Sequence, residues 1–196
     1  TAITPNDTNT YYNLGITYHN MNMLNDAISS FQKAIEIDNS HEKAHYNLGI
    51  IYIIKNMFSE SIAEFKSALQ IKPDYAKAYI NLGLASYKNG LYDEAIVSYK
   101  NALETNPNYI EAYYNLSLVY NEKGMFDNSI EVLKNGIGIS PDNKSLHFLL
   151  GNNYSDKGQI DDAISEWEKT LQIDSKHYNS YNNLGFAYYS KGLIDK

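Results

Sequence analysis

Apolar and polar positions along the chain return in register every 34 residues. Leu14, Leu48, Leu82, Leu116, Leu150 and Leu184 mark the period, and glycine follows five of them, at Gly15, Gly49, Gly83, Gly151 and Gly185. Later in each unit a small residue (Ala27, Ser61, Ala95, Ser129, Ala163) precedes an isoleucine (Ile28, Ile62, Ile96, Ile130, Ile164). A bulky side chain stands three places after the isoleucine (Phe31, Phe65, Tyr99, Leu133, Trp167). Positions three and four apart share one face of a helix, so each unit reads as two amphipathic helices and the chain as an array of such units.

Stop signals share the period. Asn22, Asn56, Gly90, Gly124, Gly158 and Gly192 are residue types that tolerate the left-handed conformation ending a helix. Three residues on, Asn25, Ser59, Asp93, Asp127, Asp161 and Asp195 offer a side-chain oxygen, expected to cap the second helix. This register gives five full repeats, at 8–41, 42–75, 76–109, 110–143 and 144–177, and the first helix of a sixth at 178–196. Residues 1–7 read as the tail of a preceding repeat, because Ile3 and Pro5 stand in register with Ile37, Ile71 and Pro73. The expectation is an excerpt from a longer array, since terminal repeats normally carry a polar cap.

At these residues the chain resembles the tetratricopeptide repeat family. The resemblance implies an all-α fold, a right-handed α-α superhelix (solenoid) of antiparallel helix pairs, and a non-catalytic interaction scaffold. Two departures stand out: Ser86 holds the slot of Tyr18, Tyr52, Tyr120, Tyr154 and Tyr188, and Ser117 replaces the glycine.

Composition narrows the function. The net charge is −7 and all 16 basic residues are lysine. A nucleic-acid binder needs a basic face to displace counterions, and without arginine there is no bidentate fork for phosphate or carboxylate, so no nucleic-acid partner is expected. With no cysteine there is no disulfide framework or thiolate site. No apolar run approaches a membrane span, so no membrane insertion is expected. Most of the 19 tyrosines fall in recurring slots and read as architecture.

One face of each first helix is distinct from the Leu-Gly-Tyr face that packs inside. In the family this face lines the concave groove. Its candidate residues are Tyr12, Asn13 and Ile16; Tyr46, Asn47 and Ile50; Ile80, Asn81 and Leu84; and Tyr114, Asn115 and Leu118. The places of Tyr12, Ile16 and His19 hold Phe148, Asn152 and Ser155 in the fifth repeat, where Leu149 breaks the asparagine series. Asparagine is a poor helix-interior residue, costing roughly 0.5 kcal/mol against alanine, yet it recurs at 13, 47, 81, 115 and 183. An amide donates and accepts at once, which suits a peptide backbone, and the row is similar to the asparagine ladder in the O-GlcNAc transferase repeat region. The expected partner is an apolar or amphipathic protein segment. The alternatives are a homo-oligomer formed through the apolar strip, or the targeting arm of a larger enzyme. Tyr12, Tyr46 and Ile80 occupy the slot of the first lysine in the family's carboxylate clamp, which argues against binding of a chaperone tail.

His41, Glu42 and His45 match the spacing of a zinc-peptidase helix. Register assigns His41 to an inter-repeat turn and His45 to an aromatic slot, and no third ligand is evident. No metal, cofactor or catalytic residue is expected.

Overall fold

The computed structural model describes residues 7–192, which form eleven α-helices and no strand. Ile3, Pro5 and the cap expected at Asp195 lie outside the described residues. The chain divides into two compact units, Thr1–Asn106 and Pro107–Lys196. The first holds α1 (Thr8–Asn20), α2 (Leu24–Ile37), α3 (Glu42–Ile54), α4 (Phe58–Ile71), α5 (Ala76–Lys88) and α6 (Tyr92–Thr105). The second holds α7 (Ile110–Glu122), α8 (Phe126–Ile139), α9 (Lys144–Asp156), α10 (Ile160–Ile173) and α11 (Tyr178–Ser190). Within each unit the two helices of a repeat pack together and the second also packs on the first helix of the next repeat. This is the all-α solenoid class, built of antiparallel helix pairs.

Each first helix ends as the sequence predicts. Asn22 and Asn56 have φ of 59° and 57°, and Gly90, Gly124, Gly158 and Gly192 lie between 68° and 76°. The left-handed residue turns the next N–H back into the helix: Met23 N donates to Tyr18 O at 2.8 Å and Asn22 N to His19 O at 2.9 Å. This paired bond satisfies carbonyls that a helix end leaves bare.

The second helices start differently from expectation. Met23, Met57, Leu91, Met125 and Gln159 occupy the capping position, with no side-chain hydrogen bond to the helix. The expected caps sit inside the first turn, too far along to reach its free N–H groups, and several turn instead to the next repeat. Asn25 Oδ1 accepts from Lys55 Nζ at 2.5 Å, while Asp127 pairs with Lys157 and Asp161 with Lys191. The slot is short and polar because it ties adjacent repeats together, 30 residues apart.

Glycine sets how closely the two helices of a repeat meet. A Cβ built on Gly15, Gly49, Gly83 or Gly151 would stand 2.6 to 2.8 Å from the ring of Phe31, Phe65, Tyr99 or Trp167 respectively. The exception explains itself: Ser117 has a Cβ, and the residue sixteen places on is the smaller Leu133. Where serine replaces the buried alanine of the second helix, its hydroxyl is used. Ser61 Oγ donates to Gly49 O at 2.9 Å and Ser129 Oγ to Ser117 O at 3.2 Å. Phe31, Phe65 and Leu133 are fully buried, each stabilised by about 1.5–3 kcal/mol relative to exposure. Among the described residues no helix is long and apolar enough to cross a membrane.

Candidate functional site

In the first unit α1, α3 and α5 carry the predicted face. Tyr12, Ile16, Tyr46, Asn47, Ile50, Asn81 and Leu84 are half-buried, Asn13 is exposed, and Ile80 is buried at 4% exposure. Tyr12 and Ile16 lean on the core around Phe31, and Tyr46 and Ile50 lean on the core around Phe65. The strip therefore gives one side to the protein's own interior and keeps the other in solvent.

The asparagine row has an internal role. Asn47 Nδ2 donates to the Tyr12 hydroxyl at 3.2 Å and to Lys43 O at 2.8 Å. One repeat later Asn81 Nδ2 donates to the Tyr46 hydroxyl at 3.1 Å and to Lys77 O at 2.9 Å. Both amide protons are thus engaged, and each asparagine ties its helix to the tyrosine 35 residues before it. The tyrosine rings are braced in turn: Tyr12 lies 4.8 Å from His41 and Tyr46 lies 4.8 Å from Tyr75, centroid to centroid.

In the second unit Tyr114 and Leu118 are half-buried against the core around Leu133, and Asn115 is half-buried beside them. A larger opening lies between α9, α10 and α11, a cavity of about 620 Å³ whose lining includes Phe148, Asn152, Trp167, Asn182, Asn183 and Phe186. Asn152 Oδ1 accepts from Trp167 Nε1 at 3.0 Å and from Asn183 Nδ2 at 2.9 Å. Sequence reasoning reaches Phe148, Asn152 and Asn183 but misses Asn179, Asn182 and Phe186. Phe186 stands 34 residues after Asn152, so carrying the groove register into the last half repeat finds it.

The histidines of the zinc-like motif are engaged separately. His41 Nδ1 accepts from Ala44 N at 3.1 Å, capping α3. His45 Nδ1 meets Glu64 Oε2 at 2.6 Å while Nε2 faces Asn39 O at 3.3 Å. Hydrogen bonding to Glu64 raises the His45 pKa above its ordinary value, against the opposing effect of burial. The fifth repeat builds the same pair, with His147 Nδ1 2.6 Å from Glu166 Oε2 and Nε2 2.8 Å from Pro141 O. These bonds hold the inter-repeat turn to the following second helix.

Paired helices at a 34-residue period, glycine seats for aromatic rings and a half-buried face along the first helices define a helical-repeat scaffold. Tetratricopeptide repeat profiles match residues 8–41, 76–109 and 98–131, and a TPR repeat profile matches 51–90 and 151–192. The chain belongs to the tetratricopeptide repeat family. Among solved structures, MamA is 27% identical over 88% of this chain and 94% of its own, with a TM-score of 0.82. YrrB, a TPR protein with an unusual peptide-binding site, is 24% identical over 97% of this chain and 94% of its own, at 0.78. A thermophilic TPR protein of Thermus thermophilus is 20% identical over 93% of this chain and all of its own, at 0.61. No curated protein matches the chain. Proteins of this family are generally non-catalytic, and the fold and its relatives support a protein-interaction scaffold.

Proposed function

We propose that the inner face of the first unit holds a peptide or amphipathic helix of another protein. The observation that carries this reading is the half-burial of Tyr12, Ile16, Tyr46, Ile50 and Leu84 along three successive first helices. An apolar side chain held against a rigid floor, with one side still in water, gains further free energy when a ligand covers it. The floor is rigid because Asn47 and Asn81 are bonded to the preceding tyrosines, so little ordering entropy is lost on binding. With both amide protons engaged, the asparagines meet a ligand through Oδ1, accepting backbone N–H groups from an extended segment. Asn13 joins the row at one end, with Ile80 as packing beneath it. In the second unit Tyr114, Asn115 and Leu118 offer the same elements.

A peptide-display selection on the intact protein tests this. Clones selected on the wild type should lose at least tenfold in affinity for Leu84→Asp and several-fold for Asn47→Ala, with the circular dichroism spectrum retained. Equal affinity for wild type and Leu84→Asp would sink the groove reading.

A further inference from the structure

The cavity between α9, α10 and α11 differs in chemistry from the face of the first unit. Its floor is amide: Asn152 is pinned by two hydrogen bonds to its oxygen, and Asn179, Asn182 and Asn183 surround it. Phe148 and Phe186 supply aromatic walls, and Phe186 is 75% exposed. Among the described residues Asp156 is the one charged side chain in the lining. The neighbouring lysines are committed elsewhere, Lys157 to Asp127 and Lys191 to Asp161.

A site with a carboxylate, amide oxygens and ring faces, and no cation among the described residues of its lining, repels an anionic ligand and attracts a cationic one. A guanidinium fits the set best. Its five donors match the carboxylate and amide oxygens, its plane stacks on aromatic rings, and it sheds water more readily than an ammonium. The volume is that of a ligand pocket and admits more than one side chain. We propose that this cavity binds a basic peptide segment, seating an arginine side chain against Phe148 and Phe186 with its guanidinium toward Asp156. The site lies wholly in the second unit and does not depend on the groove of the first.

Trp167 is the sole tryptophan in the chain and lines the cavity, so its fluorescence reports occupancy directly. The intact protein is titrated with acetylated and amidated octapeptide pools, randomised except for a central arginine, glutamine or glutamate. The arginine pool should perturb Trp167 emission at concentrations at least tenfold lower than the glutamate pool, with glutamine between. Asp156→Asn and Phe186→Ala, both at exposed positions, should each cut the arginine advantage at least threefold with helicity unchanged. Leu84→Asp should leave it intact, which separates this site from the first-unit groove. Equal response to all three pools overturns the proposal. So does an arginine advantage that survives Asp156→Asn, because the net charge of −7 would then account for it.

Discussion

Gly151 lies so close to the indole of Trp167 that a Cβ built on it would stand 2.6 Å from both Cδ1 and Nε1. The ring cannot swing aside freely, because Nε1 is hydrogen-bonded to Asn152 Oδ1. Gly151→Ala therefore has to push α9 and α10 apart or break that bond. Overpacking of this kind costs about 1–3 kcal/mol, so the urea midpoint followed by circular dichroism should fall clearly, with Trp167 emission altered in the native baseline.

Gly185 occupies the same slot in α11, yet among the described residues nothing lies within 4 Å of its would-be Cβ. Without a ring to accommodate, only the backbone cost of glycine in a helix remains, about 1 kcal/mol relative to alanine. Gly185→Ala should raise the melting temperature. One substitution at equivalent positions thus changes sign with the neighbour, and a fall for Gly185→Ala would refute the account.

The contrast shows what the sequence makes legible. The period, the helix pairs and the left-handed positions at Asn22, Asn56 and the four equivalent glycines are local, and a residue type states them outright. The partners of a slot are not local. Nothing in the composition says that Asn47 reaches the Tyr12 hydroxyl 35 residues earlier, so Asn47 and Asn81 read as free donors for a peptide when their amide protons are already engaged. The polar slot of Asn25 and Asp127 falls to the same difficulty. A helix that starts two residues earlier turns a cap into a first-turn residue, and a turn sequence does not fix its start to one position.

That slot gives a discriminating measurement. Asn143 caps α9, its side chain accepting from Ser145 N and Leu146 N, so Asn143→Ala should cost about 1 kcal/mol. Asp127 instead forms an exposed ion pair with Lys157, and such pairs contribute less than about 1 kcal/mol. In denaturation at low salt Asp127→Ala should be the milder variant. Its effect should shrink further in molar salt, where screening acts within a few ångströms, while that of Asn143→Ala persists.

Ser86 is buried in a slot that holds tyrosine in other repeats, and its hydroxyl has no hydrogen-bond partner among the described residues. A buried hydroxyl left unpaired carries a desolvation cost of about 1–3 kcal/mol, which alanine removes at nearly the same volume. Ser86→Ala should raise the urea midpoint. Destabilisation by this substitution would mean that the hydroxyl is bonded in solution.

Stability should also fall with rising pH through His45. Both ring nitrogens face acceptors, Glu64 Oε2 and Asn39 O, and only the protonated imidazole donates to both. Glu64 thereby lifts the folded pKa above the ordinary value of 6.5, so the folded chain holds this proton more tightly than the unfolded chain does. Its contribution is fully present below about pH 6.5 and is lost as pH climbs through the raised folded value. His45→Tyr places in this slot the residue found at Tyr79 and Tyr113 and removes the titration. Unfolding free energies measured by urea from about pH 5.5 to 8.5 should show the wild type falling more steeply than the variant, with the gap opening above the unfolded value. Parallel profiles would show that the Glu64 pair does not couple to folding.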